Sequence, residues 1–589
     1  MGMCPTSAVW REEARVVTQS AAVEDAEASR RAILAAWLLS AALVTGLRCL
    51  NVADIGYDLT FQIQAAQNLI AGNGLSIYKH DSPDLSQPAR LFTLTHFPAG
   101  FSLLTAGLLS VGATLPIIVK LQGAVATMLG WWGWGRLGES FLSADAKRSR
   151  VWWWVAVVIA IVTPLRYTPP WWGTDVVLWA AVPWVLLWVV TASADDTPRS
   201  NRLDLAAGAV CGVCIMWRYA SLFLAAYVGA VILWQSRLRL AVVLRRSLLF
   251  GLGCLPAVAV QLYINEILAV VPARPGGLEI GENNTSFIAQ RAWEGVSLFG
   301  NSNYAWLFWL PGQAVDFLTL RDGAVPWRAA ILAVVTVVFV VSIMTYRLGP
   351  LAAGRDPRIV CLGLFMVLPL ALWVCTMLSH STFMADQRYY WSLVPLGVLL
   401  FHALASRSET VNVSMLAAVI YVVGYVGVSA LGIMLLFTPG ERGSMQRTRL
   451  IGTASFAHWP STRATYETYE ARQFVVGLLS RDPGIILLTT KAQWFLADGA
   501  VDRSRLMVLR KCDELPTYVS RPARVVILTF DEPGPAGTIW AWGRARRVVR
   551  APCLENLPGL RPLARFADEG VKVLESWVPA GTALRGGKM

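Results

Sequence analysis

The sequence predicts a polytopic α-helical membrane protein with a small soluble α/β domain at its C-terminal end. Three observations predict it. Of 589 residues, 55% are hydrophobic and only 15% are charged, against about 25% charged in soluble domains. Apolar runs of about 17–25 residues, long enough to cross a bilayer, recur as far as residue 437. Arginine and lysine gather in every second connection between those runs, as the positive-inside rule asks of cytoplasmic loops.

In chain order, residues 1–31 are polar and of mixed charge and read as a disordered cytoplasmic tail without a cleavable signal. The first span is 32–50. A large loop, 51–96, follows. Within it Ala65, Ala66, Leu69 and Ile70 recur at helical spacing, and Gly72-Asn73-Gly74 stops the helix. The apolar stretch 97–111 opens near Pro98 and is short, so it reads as a helix lying at the outer surface. Further spans fall at 116–135, 151–166, 175–193, 204–220, 221–235, 247–270, 327–346, 359–378, 389–405 and 413–437, about eleven crossings in all. Residues 438–589 are soluble in character. A helix is expected at 463–479, buried strands at 485–490 and 524–529, and a weaker strand at 506–509.

The basic residues set the orientation. Arg136, Lys147, Arg148 and Arg150 share one loop, Arg199 and Arg202 the next, then Arg237, Arg239, Arg245 and Arg246, then Arg347, Arg355 and Arg358, then Arg407. The intervening loops are poorer in positive charge for their length. The N-terminus is therefore expected in the cytoplasm, with the chain crossing the membrane many times. The loops 51–96 and 271–326 and the C-terminal domain are expected outside.

The net charge of +13 is dispersed between apolar spans and forms no patch, which argues against a nucleic-acid partner. Many of the 26 tryptophans lie near the ends of apolar runs, as in interfacial belts. Of nine cysteines, Cys49, Cys254, Cys361 and Cys375 lie in or beside apolar runs. Cys211 and Cys214 form C-x-x-C inside a hydrophobic helix, where small buried hydrophobes are expected rather than a metal or redox site. Cys512 and Cys553 lie in the soluble region; whether they form a disulfide is open. No Walker loop, Gly-rich nucleotide fingerprint or D-x-D is present, so a soluble nucleotide sugar is not the expected donor; the five histidines are scattered and form no zinc cluster, and metal dependence is open.

The chemistry-bearing residues fall on the outer face. Asp58 follows the first span on a short amphipathic helix, where a carboxylate can act as general base toward an acceptor hydroxyl or amine; the alternative is a helix-terminal carboxylate. Asp54, one turn earlier, either orients the acceptor or caps the helix. Asp175 opens a span after Thr-Pro-Pro-Trp-Trp-Gly-Thr; it reads as a second acid shaping the acceptor site or holding the first loop, or as an N-cap. Lys79 and His96 are basic groups of the first loop. Arg218 and Arg388 sit at outer span ends, where the positive-inside rule does not ask for cations. There an arginine can grip a phosphate bidentately or snorkel to head groups.

These residues resemble the GT-C superfamily of polytopic glycosyltransferases, particularly the bacterial relatives of protein mannosyltransferases and of the lipid A aminoarabinose transferase. The resemblance lies in Tyr57-Asp58 followed by Ala65-Ala66 and Asn68-Leu69-Ile70-Ala71-Gly72-Asn73-Gly74-Leu75. It extends to His96-Phe97-Pro98-Ala99-Gly100-Phe101, to Thr174-Asp175 at a span start, and to Arg388-Tyr389 with Pro395. It implies inverting transfer of a sugar from a polyprenyl-phosphate carrier to an exoplasmic glycan, lipid or protein. Asp58 would be catalytic, with Asp175 beside it. Arg388, Tyr389 and the basic first-loop groups would hold the lipid phosphate. The donor would be the lipid-linked sugar, with no further cofactor. Two other classes remain open from the residues: a lipid or sugar transporter, expected to show paired broken helices and mid-membrane charges, and a non-catalytic envelope-assembly scaffold.

Overall fold

The computed structural model describes residues 27–46, 49, 57–94, 97–146, 150–168, 173–192, 198–236, 239–266, 362–365, 392–405, 470–489, 495, 501–508, 515–530, 557–566 and 571–584. Its helices in chain order are α1 (Glu27–Gly46), α2 (Tyr57–Ile70), α3 (Gly100–Ser110), α4 (Leu115–Ala146), α5 (Arg150–Tyr167), α6 (Thr174–Thr191), α7 (Pro198–Trp217), α8 (Leu222–Gln235), α9 (Leu240–Glu266), α10 (Leu393–Ala405) and α11 (Glu470–Arg481). Among the described residues four of these, α1, α4, α6 and α9, are long and apolar enough to cross a membrane. The expected spans 327–346 and 413–437 lie outside the described residues, as does most of 359–378.

The bundle core joins α1, α4, α5, α6, α7, α8 and α10. At its centre Trp131 meets Trp37 edge-on at 5.5 Å and Trp179 at 4.9 Å between ring centroids. The Trp131 indole N–H donates to Thr168 Oγ1 at 2.8 Å. Interfacial belts therefore account for only part of the tryptophan: Trp37, Trp131 and Trp134 are fully buried, and such large rings supply core packing area. Trp154, by contrast, is exposed.

Helices α7 and α9 meet backbone to backbone. A Cβ on Gly208 would lie 2.1 Å from the Phe250 carbonyl oxygen, and one on Gly253 would lie 2.2 Å from that of Leu205. Gly212, one turn beyond Gly208, approaches Cys254 in the same way. Gly208 and Gly212 form the small-x-x-x-small pattern that lets membrane helices pack closely. The Cys254 thiol donates to the Gly208 carbonyl at 3.1 Å, and Cys211 and Cys214 are buried free thiols. Leu244, Leu248, Leu252 and Leu255 of α9 are exposed.

Four helices, α6 to α9, are tied at one end by a fully buried ion pair between α7 and α9 and the glutamine beside it. Arg246 donates from Nε to Asp204 Oδ2 at 2.8 Å and from Nη2 to Oδ1 at 2.9 Å. Its Nη1 donates to Gln235 Oε1 at 2.9 Å, and Gln235 Nε2 donates to the Val189 carbonyl at 3.1 Å. Each guanidinium nitrogen thus meets an acceptor, and pairing of this kind is the condition under which charge is tolerated in an apolar interior. Arg199, Arg202, Arg239 and Arg245 stand at this end of their helices.

The first loop is more structured than the sequence suggested. Helix α2 ends as expected: Gly72 has φ +80°, its N–H donates to Leu69 O, and Asn73 N–H donates to Asn68 O, a Schellman stop. A hairpin then forms that sequence pattern did not predict, β1 (Ser76–Lys79) antiparallel to β2 (Arg90–Thr93). Helix α3 has 11 residues, about 17 Å at 1.5 Å per residue. That is too short for a roughly 30 Å hydrocarbon layer.

The C-terminal region holds a five-stranded sheet in the order β4-β3-β5-β7-β6. Strands β3 (Ile486–Thr489), β4 (Leu506–Val508) and β5 (Ala523–Phe530) run parallel; β7 (Val571–Val578) and β6 (Arg561–Phe566) continue antiparallel. The first three strands and α11 coincide with the expected elements, with α11 starting at Glu470; residues 463–469 lie outside the described residues. The first helix begins at Glu27, inside the expected tail, where Arg31 pairs with Glu27 at 2.5 Å. Cys512 and Cys553 lie outside the described residues.

Candidate functional site

The end of the α6–α9 group opposite the Asp204–Arg246 pair holds, among the described residues, a cluster of buried polar side chains: Thr174, Asp175, Arg218, Ser221 and Gln261. Helix α6 starts after Gly173, whose φ of +95° is reached cheaply only by glycine. Thr174 and Asp175 form its first turn, where a carboxylate is favoured by the helix dipole. Both are buried. Helix α7 stops at Trp217. Arg218 is extended, with φ −156°, and the chain turns through Tyr219–Ser221 into α8. The turn is pinned by the Ser221 hydroxyl, which donates to the Cys214 carbonyl at 2.9 Å.

From that turn the Arg218 side chain reaches α6. Its Nε lies 2.8 Å from Asp175 Oδ1, with side-chain exposures of 8% and 7%. Its Nη1 donates to Thr174 Oγ1 at 3.2 Å. Sequence reasoning assigns Asp175 and Arg218 separate duties; the structure makes them partners. A guanidinium already engaged by a carboxylate is oriented, and part of its charge is neutralised.

The first loop is built onto this rim. A Cβ on Gly173 would meet Leu59 Cδ1 at 2.8 Å, and one on Gly100 would meet the Trp217 ring at 2.5 Å. Leu59 follows Asp58 in the first turn of α2, so that turn packs against the start of α6. Leu59 and Ile63 share a buried cluster with Cys49, Phe101 and Val119. The Ala99 N–H, just before α3, donates to Gln261 Oε1 of α9 at 2.8 Å. Gln261 Nε2 donates to Asn265 Oδ1 at 2.9 Å and to the Tyr219 hydroxyl at 3.4 Å, and Asn265 Nδ2 donates to the same hydroxyl at 3.3 Å. That network ties the Arg218 turn to the end of α9 and the start of α3.

One residue of this rim was not among the sequence candidates. Lys120 of α4 is fully buried and follows in the chain Val119, a member of the Leu59 cluster. Its signal was present: a lysine six residues into the apolar run Leu115-Pro-Ile-Ile-Val-Lys120, where ionisable groups are rare and functional by default. Lys79 lies at the exposed end of β1, opposite Arg90. Its ammonium sits 5.8 Å from the Phe92 ring centroid, so its described contacts belong to the hairpin. The Asp58 side chain, Asp54, His96, Arg388 and Tyr389 lie outside the described residues.

Chemically, the rim offers a carboxylate-oriented guanidinium, a buried amine, and a helix turn bearing a further aspartate, at one end of an apolar bundle. No protein-family model matches the chain, and no curated protein matches it.

Proposed function

We propose that this protein is a membrane glycosyltransferase of the GT-C kind, moving a sugar from a polyprenyl-phosphate carrier to an acceptor on the non-cytoplasmic side of a bacterial inner membrane. The acceptor hydroxyl or amine attacks the anomeric carbon of the sugar. The bond from that carbon to the phosphate oxygen breaks, the polyprenyl phosphate leaves with the bonding electrons, and the acceptor proton passes to the Asp58 carboxylate. The anomeric configuration inverts. Arg218, held by Asp175, and Lys120 stabilise the phosphate as its charge grows, with Arg388, Tyr389, Lys79 and His96 as further contacts. Asp54 orients the acceptor. The isoprenoid chain lies along apolar helix surface such as the exposed leucines of α9.

The observation that carries this reading is the packing of Leu59 on Gly173. It brings the turn bearing Asp58 to the helix start where Asp175 meets Arg218. The outward orientation is supported by the basic residues at the opposite end of the same helices; in this reading the bundle has about eleven crossings.

The experiment is the lipid-linked sugar pool. Cells lacking the protein are expected to accumulate a polyprenyl-phosphate sugar, and Asp58→Asn is expected to accumulate the same species, with transfer down about 10²–10⁴-fold and the protein still folded in the membrane. An unchanged pool in both strains overturns the reading, and full transfer by Asp58→Asn removes that residue from its role.

A further inference from the structure

The C-terminal sheet domain meets the first loop at three separate places. Phe61, one turn into α2, packs against the domain's core of Val475, Leu487, Val526, Leu528 and Val573. Gln67, near the end of α2, accepts a hydrogen bond from Arg503 Nη2. At the hairpin tip Leu85 is fully buried among Ile486, Leu488, Leu515 and Val519, on the sheet's other side. Beside it Asp84, 3% exposed, accepts from the Ser520 N–H at 2.9 Å, from the Ser520 hydroxyl, and from the Ser86 N–H and hydroxyl at 3.0 and 2.7 Å. Backbone bonds complete the seam: Thr517 N–H to Pro83 O at 2.8 Å, Leu85 N–H to Tyr518 O at 3.0 Å, and Ala89 N–H to Ser504 O at 2.7 Å.

We infer that the C-terminal domain is a positioning element for the chemistry carried by α2, with Asp84, Ser520 and Phe61 as its positioning residues. The inference rests on the glycosyltransferase reading for the nature of that chemistry. Helix α2 lies between two walls. Leu59 and Ile63 meet the bundle, and Phe61 meets the sheet domain. A 14-residue helix and a hairpin with four-residue strands are marginal on their own. Their geometry is therefore set by both walls at once. A carboxylate that must meet an acceptor proton within hydrogen-bond reach depends on that fixing, because small misplacements of a reacting group are costly in rate. The domain supplies two specific anchors, a buried carboxylate met by main-chain and hydroxyl donors and a leucine seated in its core.

The test uses the full chain in detergent or nanodiscs, with Asp84→Asn, the milder Ser520→Ala, Ser520→Thr as the conservative rescue, and Phe61→Leu. Hydrogen exchange over 57–70 and 76–93 reads the coupling without any sugar transfer. Asp84→Asn and Ser520→Ala are expected to speed exchange in both segments by about tenfold or more, the scale of a lost charge-assisted hydrogen bond. Ser520→Thr is expected to restore protection. Under saturating donor, Asp84→Asn, Ser520→Ala and Phe61→Leu are expected to lower kcat while leaving the donor KM within about twofold. Faster exchange confined to 515–520, with α2 as protected as before and kcat unchanged, overturns the inference. A chain that transfers no sugar yet couples α2 to Ser520 in exchange overturns the glycosyltransferase reading and leaves the positioning intact.

Discussion

Arg218 and Asp175 form a buried ion pair across two helix ends, Nε 2.8 Å from Oδ1, and the pair stands at the opposite end of the α6–α9 group from Asp204 and Arg246. The two pairs share a composition and differ in surroundings. Arg246 is fully buried and donates from each of its three nitrogens, to one carboxylate and one amide. Arg218 lies on a non-helical turn beside the first loop, with Thr174 as its hydroxyl partner.

Removing one member of either pair strands a buried charge, so Arg246→Met and Arg218→Met should each destabilise the bundle by about 3–5 kcal/mol. Asp204→Leu combined with Arg246→Met should recover most of that loss, because apolar helices accept well-packed apolar replacements. The double change at the rim, Asp175→Leu with Arg218→Met, should recover stability and still abolish transfer. Thermal unfolding in detergent beside a transfer assay checks both. Equal transfer by the two double variants would deny the rim pair any functional role.

Glycines two residues apart on α9 should respond with opposite signs. A Cβ at Gly251 meets nothing within 4 Å, whereas one at Gly253 would stand 2.2 Å from the Leu205 carbonyl oxygen. Gly251→Ala should stabilise by about 0.5–1 kcal/mol through helix propensity. Gly253→Ala should force α7 and α9 apart and cost about 1–3 kcal/mol. Unfolding midpoints of the two variants give the comparison, and a tolerated Gly253→Ala would contradict the backbone contact.

Period and punctuation made much of this architecture legible. The run Ala65, Ala66, Leu69, Ile70 before Gly72 gave α2 and its end, and the apolar runs 485–488 and 525–528 inside the expected segments 485–490 and 524–529 gave two parallel strands. Strands β6 and β7 were missed because Arg561–Phe566 and Val571–Val578 carry charges within them; the Glu575 carboxylate is buried only because Arg524 and Arg561 meet it there. The hairpin was missed because four-residue strands leave too little alternation to detect. Asp175 and Arg218 were both singled out, but their pairing depends on how the end of α7 meets the start of α6, a tertiary relationship that local pattern does not encode.

Lys120 should prove to be a phosphate contact. Lys120→Met is expected to weaken retention of polyprenyl phosphate by about tenfold or more, the scale of a charge-assisted hydrogen bond. Lys120→Arg should lose less, since the charge survives while the shape changes. Binding of polyprenyl phosphate to purified protein in nanodiscs measures this. Equal affinity in wild type and Lys120→Met would return the lysine to a packing role.

The seam at Asp84 should have a one-sided pH dependence. Burial by itself would raise the Asp84 carboxyl, but the Ser520 hydroxyl and N–H and the Ser86 hydroxyl and N–H outweigh it and hold the group well below the usual carboxylate range. A carboxylate lowered on folding adds stability above its unfolded value, near 3.9, and loses it as pH falls toward the folded value. Docking of the hairpin should therefore be level from about pH 9 to about pH 5 and weaken only below about pH 4. Glu575, also lowered although burial opposes it, by Arg524 and Arg561, contributes an acid limb of the same sign to the sheet domain as a whole. The two are separated by reading amide protection, corrected for intrinsic exchange, at 83–89 in wild type and Asp84→Asn. The variant should start less protected and show a flatter acid limb there, with protection in β5 and β7 unchanged. An acid limb of equal depth in both proteins would mean that Asp84 does not carry the seam.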